Sequence, residues 1–369
     1  MSMKFIPRLS GALLALAALA AVHAHAEAKP AKPKTKAQAR KVAAQPDEMG
    51  EFANFTQWKA VSEFMDRMVE KNGFDRAKLE EIFRKTRYVD TTIQLIKPAP
   101  PGKPKNWQAY RQRFVEPMRI NAGVAFWNQY ADALARAEEQ YGVPAEVIVG
   151  IIGVETIYGR NTGNFRVLDA LTTLAFDYPN TPTREARMEF FRGELENTLV
   201  LARDNDIDPF TLLGSYAGAI GLPQFMPGSI RKFAVDFDAD GKVDLRASPI
   251  DAIGSVANFL VAHGWQRGQP VAFPVTLANA DVGRGWEMFI NQGLEAKFTL
   301  DELKAAGVTP TVEPPADLRY GLVDLQNGGN PTEYWLGTNN FFAITQYNRS
   351  YFYAMSVIDL GKAVRAARR

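Results

Sequence analysis

From residue 51 to about 265, apolar positions recur at helical spacing. The stretch FTQWKAVSEFMDRMVEKNG is amphipathic and stops at Gly73. DRAKLEEIFRKT predicts a second helix, and NAGVAFWNQYADALARAEEQYG one continuous third, ending at Gly142. TPTREARMEFFRGELENTLVLARDN and SPIDAIGSVANFLVAHGW predict two more, the latter opening on a Ser-Pro signal and closing at Gly264. The texture then changes. QPVAFPVTL, AKFTL, DLRYGLVDL, TEYWLGT and NFFAIT are short β-prone runs separated by Pro, Gly and Asn, predicting a small antiparallel insert over about 269–345. YFYAMSVIDLGKAVRAARR returns to helix. The pattern predicts a mainly α (α+β) protein: a helical body carrying a small β insert.

One helix breaks the amphipathic rule. EVIVGIIGVETIYGR is apolar nearly all round, so it predicts a buried helix with Pro144 at its first turn. Gly150 and Gly153 lie inside it, each costing roughly 1 kcal/mol against Ala, which implies that something packs closely on its backbone. Glu155 falls in its last turn. Desolvation and the negative end of the helix dipole both disfavour the carboxylate there, so its pKa is expected to rise towards that of a general acid. The alternative is a buried Glu neutralised by Arg160, Arg184 or Arg187.

Composition narrows the chemistry. The chain has 369 residues, no Cys and three His. Cysteine nucleophiles, disulfides and Cys-rich or His-rich zinc sites are excluded. Residues 1–26 combine basic Lys4 and Arg8, an apolar stretch over 11–22 and the small-x-small site Ala24-His25-Ala26. They predict a cleaved signal peptide, too short to span a bilayer. Cleavage after Ala26 leaves His263 as the only histidine, so carboxylate, Tyr, Ser or Lys chemistry remains. Residues 27–46, rich in Lys, Ala and Pro, predict a basic disordered linker. The expected destination is the periplasm, as a soluble protein with no lipid-bearing Cys and no transmembrane anchor; nothing calls for nucleic acid.

Two further segments stand out. GSYAGAIGLPQFMPGS (214–229) has four Gly and two Pro in sixteen residues, with Ser215, Tyr216 and Gln224 among apolar neighbours. Such irregular backbone suits the floor of a groove in which a polymer lies close to the main chain; a plain interhelical turn is the alternative. DFDADGKVDL (236–245) has the spacing of a calcium loop: Asp236, Asp238 and Asp240, Gly241 at the sharp turn, and the Lys242 carbonyl at the seventh position. Ala247 stands where a bidentate Glu is usual, so Asp251 is expected to close a longer loop, 236–251. A structural calcium ion is expected there, with a solvated acidic turn as the alternative; no catalytic cofactor is expected.

VGIIGVETIYGRNTGNFRVLDALTTLAFDYP, GSYAGAIGLPQFMPGS, DAIGSVANFLVAHGW and ITQYNRSYFYAMSVIDLG together resemble the lytic murein transglycosylase B family, over about residues 50–365. The resemblance implies a lysozyme-like core (136–268), a helical domain (47–135) completed by the C-terminal helix (350–369), and the small β domain (269–345). It implies peptidoglycan glycan strands as the partner, with cell-wall synthesis enzymes as a further partner class. The implied reaction cuts the β-1,4 bond between N-acetylmuramic acid and N-acetylglucosamine, leaving a 1,6-anhydromuramyl end. Glu155 matches the family's catalytic glutamate. Ser215, Gln224, Phe225, Tyr347, Asn348 and Tyr353 match substrate-site residues, and Tyr110 and Arg187 match more loosely. One departure is local: Gly-Leu-Pro-Gln stands where Gly-Tyr-Gly-Gln is typical. A hydrolytic muramidase on the same core, or a non-catalytic calcium-dependent wall-binding protein, are the competing expectations.

Overall fold

The computed structural model describes residues 54–98, 102, 104–278 and 285–368. The signal peptide and basic linker expected from the sequence lie outside them. The first half is helical: α1 (Lys59–Asn72), α2 (Arg76–Lys85), α3 (Asp90–Ile96), α4 (Trp107–Arg111), α5 (Pro117–Gln129), α6 (Ala131–Tyr141) and α7 (Ala145–Thr156). A two-residue strand β1 (Phe165–Arg166) precedes α8 (Val167–Phe176) and the long α9 (Arg184–Asp204). Strand β2 (Leu213–Gly214) pairs back antiparallel with β1, and α10 (Pro227–Phe233) and α11 (Pro249–Ala262) follow. The sheet region holds β3 (Ala272–Leu277), α12 (Leu300–Ala305), β4 (Val308–Pro310), β5 (Gly321–Asn327) and β6 (Asn330–Gly337). Helices α13 (Asn339–Tyr347) and α14 (Tyr351–Ala367) close the described chain. Among the described residues no helix is long and apolar enough to cross a membrane.

The four-stranded sheet runs β4-β3-β6-β5, antiparallel throughout, with Val323 opposite Trp335 and Phe273 opposite Leu336. It has its own apolar cluster, centred on Val275, Leu303, Tyr320 and Leu336. The larger cluster fills the helical body and is continuous from α1 to α14.

At the centre lies α7, buried on all sides as its sequence predicts. Its glycines have the expected cause: a Cβ on Gly150 would stand 2.3 Å from the Val357 carbonyl oxygen of α14. From the other side, a Cβ on Gly361 of α14 would stand 2.1 Å from the Glu146 carbonyl oxygen. The two backbones approach as closely as glycine allows. Helix α14 therefore packs on α7 as well as on α5, and it fixes the position of the Glu155 turn.

Three predicted elements come out differently. The single helix expected up to Gly142 is two, because the Tyr130 backbone leaves helical geometry (φ −115°, ψ 29°). This lets α5 pack on α14 while α6 packs on α11. NFFAIT is not a strand but the start of α13. The Thr338 side chain caps it by accepting from the Asn340 amide, and Phe341, Phe342 and Ile344 are buried in helical array. Its aromatic, β-branched composition is overridden by that cap and by tertiary packing. AKFTL contributes only an isolated bridge, Phe298 to Tyr320, before Thr299 and Glu302 form a capping box that starts α12.

Candidate active site

The last turn of α7 is held by its own chain reversal. Ile157 caps it in the left-handed region (φ 52°), and Tyr158 follows at φ 57°. Two successive non-glycine residues there, one of them β-branched, are unusual and strained. The Tyr158 ring lies against Gly123 and Gly153, where a side chain on either glycine would collide with it. Thr156 Oγ1 donates to the Leu222 carbonyl at 2.8 Å and accepts from the Gly159 amide at 3.0 Å. The turn bearing Glu155 is thereby tied to the Gly-rich segment.

That segment is an ordered double reversal. Ser215 and Ala219 bond through their backbones, as do Ile220 and Phe225, and the Leu222 amide bonds to the Leu245 carbonyl. Ser215 Oγ accepts from the Ala219 amide at 3.0 Å, shaping the turn, while the residue stays half-exposed. Gln224, at φ 52°, donates through Nε2 to the Thr162 and Gly221 carbonyls at 3.1 and 2.9 Å. Pro223, where the sequence departs from the family pattern, presents its carbonyl to the Tyr347 hydroxyl at 2.6 Å.

Glu155 retains some solvent access yet sits deep among protein atoms. Burial pushes its pKa up to about 7, and the one opposing influence is a hydrogen bond from the Tyr353 hydroxyl to Oε1 at 2.6 Å. The neutralising arginine is not found: among the described residues no cation forms a salt bridge with Glu155. Arg184 instead pairs with Asp177 at 3.4 Å. Arg187 donates to the Tyr178 hydroxyl at 3.3 Å and packs over the Tyr178 ring.

The fold gathers three tyrosines around Glu155. Tyr353 and Tyr347 stack with centroids 6.3 Å apart and planes 17° from parallel. Burial raises both hydroxyl pKa values well above the ordinary tyrosine range, reinforced by the Glu155 carboxylate. Tyr110 is pushed up to about 12, mainly by burial, with Glu155 adding to it and Arg113 opposing. Asn348 is 8 % exposed, and its side-chain oxygen is buried with no partner. Tyr110 and Asn348 line one cleft of about 790 Å³ together with Arg113 and Arg349. These two arginines were not singled out from sequence, although Arg349 sits inside the QYNRS motif.

Phe225 differs from its expected place: at 2 % exposed, against Phe259 and Tyr347, it supports the site from behind. Arg187 lies beside Tyr178 and Tyr216 on the α9 side.

In the acidic loop, carboxylate oxygens of Asp236, Asp238 and Asp251 lie within 4.8 Å of one another. Asp251, 1 % exposed, accepts from the amides of Phe237 (2.7 Å) and Asp244 (2.8 Å). Asp240 is outside the cluster; its carboxylate accepts from the Lys242 amide at 2.8 Å. An all-oxygen carboxylate set fits a hard cation such as calcium.

A buried glutamate with its pKa raised by burial, on a lysozyme-like helical core, points to a glycan-cleaving enzyme of the lytic transglycosylase class. Residues 54–362 match the Transglycosylase SLT domain, and the chain belongs to that family. It is 45 % identical over 328 residues to membrane-bound lytic murein transglycosylase B of Escherichia coli (strain K12), covering 86 % of this chain and 85 % of that one. The crystal structure of soluble lytic transglycosylase SltB1 from Pseudomonas aeruginosa superimposes with a TM-score of 0.75 at 44 % identity, covering 84 % of this chain and 99 % of that one. Escherichia coli lytic transglycosylase Slt35 in complex with calcium gives a TM-score of 0.74 at 44 % identity, covering 86 % and 96 %.

Proposed function

We propose that this lytic transglycosylase cleaves the β-1,4 bond between N-acetylmuramic acid and N-acetylglucosamine, with Glu155 as the only catalytic carboxyl group. The observation that carries this reading is the isolation of Glu155: among the described residues no second carboxylate acts on it, and its pKa stands at about 7. Glycosidases that use a carboxylate pair hold the two groups about 5–10 Å apart. A lone carboxyl can serve twice if the nucleophile belongs to the substrate.

Glu155 first gives its proton to the glycosidic oxygen as the bond to the muramyl C1 breaks. The muramyl 2-acetamido group stabilises the cationic centre. Ionised Glu155 then takes the proton of the C6 hydroxyl as O6 bonds to C1. The proton returns to the enzyme, no water is consumed, and the product is a 1,6-anhydromuramyl end. The Tyr353 hydroxyl stabilises the ionised form between the two steps. Asn348, with its partnerless oxygen, and Ser215 and Gln224 on the facing segment orient the sugar, with Tyr110 on the cleft wall.

The same reading includes calcium held by Asp236, Asp238 and Asp251 as a structural ion, supported by the oxygen donor set. It includes export to the periplasm as a soluble protein, the domain division set out from sequence, and cell-wall synthesis enzymes as partners. Mass spectrometry of muropeptides released from purified peptidoglycan tests the reaction. Anhydro ends and no new reducing ends are expected. Reducing ends in their place would make the protein a hydrolytic muramidase.

A further inference from the structure

The cleft lined by Tyr110 and Asn348 does not end there. It passes Lys105 and Asp324 into a second hollow of about 480 Å³ beside the four-stranded sheet. Trp286 and Tyr334 wall this hollow, with ring centroids 5.7 Å apart and planes at 59°. The indole is fixed by a hydrogen bond from Nε1 to the Ala278 carbonyl at 3.2 Å. Gln326, whose amide donates to Asp324 at 2.8 Å, lies on the same lining. The frame is stiff. The segment leading into α4 is bonded to the β5–β6 hairpin by the Gly328 amide to the Lys105 carbonyl (2.8 Å) and the Gln108 amide to Asn327 Oδ1 (2.9 Å).

We propose that this hollow is a distal subsite for a further N-acetylated sugar of the glycan strand being cut at Glu155, an inference that rests on the transglycosylase reading above. A pyranose presents an apolar C–H face and a rim of hydroxyl and amide groups. Fixed aromatic rings with an amide and a carboxylate at their edge are complementary to both. The hollow shares Lys105, Asn291 and Asp324 with the cleft lined by Tyr110, whose hydroxyl feels the Glu155 carboxylate, so one strand can span both.

The test is kcat/KM on peptide-free glycan oligomers of graded length, for the wild type, Trp286→Ala and Gln326→Ala, with melting curves for each. The wild type is expected to cleave long oligomers more efficiently than short ones. Both variants should lose that advantage, by about threefold to tenfold on the longest oligomers, with the shortest cleaved as before. Should Trp286→Ala fail to fold, the exposed Gln326→Ala carries the decision. Variants that keep the long-chain advantage, a wild type indifferent to length, or a loss confined to peptide-bearing strands would each overturn the subsite. A wild type that cleaves none of the oligomers would instead bring down the transglycosylase reading and the subsite with it.

Discussion

At the residue scale, the environment of Glu155 makes its protonation the controlling variable. Glu155→Gln keeps the shape and removes the transferable proton, so cleavage should fall by about 10²–10⁴-fold or more. The group's folded pKa, about 7, lies above the ordinary carboxyl value of 4.5, so its contribution to stability is present at low pH and lost as pH rises between those values. Above pH 7 the buried carboxylate is a liability of order 1–3 kcal/mol. Glu155→Gln should therefore melt higher than the wild type at pH 8, and near it at pH 4. Equal melting temperatures at pH 8 would mean that the carboxylate is not destabilised by burial. Activity needs the acid form first, so kcat/KM should decline above about pH 7. Tyr353→Phe removes the hydrogen bond that favours the carboxylate. The alkaline limb should then move to higher pH, while a limb that stays put or moves down would remove Tyr353 from the catalytic role assigned here.

At the element scale, the decisive contact is the crossing of α7 and α14. Gly150→Ala forces a methyl group into the Val357 carbonyl, and backbone cannot step aside as a side chain can. Overpacking of this kind costs typically about 1–3 kcal/mol. Because Tyr353 rides on α14, turnover per folded molecule should fall as well. Gly193→Ala on α9, where an added Cβ meets nothing within 4 Å, is the control. It should hold stability or raise it by up to about 1 kcal/mol through helix propensity. Urea unfolding of the two variants side by side reads the difference, and a Gly150→Ala protein as stable as the control would show that the crossing is loose.

At the scale of the whole molecule, the acidic loop joins α10 to α11, far in sequence from the Glu155 turn but linked to it through the Leu245 carbonyl and the Leu222 amide. A cation that binds only the folded loop stabilises by mass action, about 2.7 kcal/mol at a hundredfold excess over its Kd. Chelation should lower the melting temperature, and calcium should restore it. Asp238→Ala should abolish the response and Asp240→Ala should largely keep it, since only Asp238 joins the three-carboxylate cluster. A melting temperature indifferent to calcium in the wild type would leave 236–251 as an acidic turn braced by its own amides.

The sequence alone determined the elements whose signals are local. Gly73 and Gly142 stop helices because each reaches the left-handed region without a Cβ penalty. Glu155 was legible because a carboxylate among Val and Ile has few explanations, and the glycines of α7 announced a close neighbour without naming it. Asp236, Asp238 and Asp251 followed from spacing and a helix start. What only the tertiary structure decided were the partners. The Tyr353 hydroxyl reaches Glu155 across 198 positions of chain, and no periodicity encodes that distance. Phe225 was indistinguishable from a groove residue until Phe259 and Tyr347 were seen to cover it. NFFAIT became helix because burial of its aromatic face outweighs strand propensity, and Tyr130 broke a helix so that its two halves could meet different neighbours. Propensity and spacing act over a few residues, whereas the desolvation that raises the pKa of Glu155 is created by everything that packs around it.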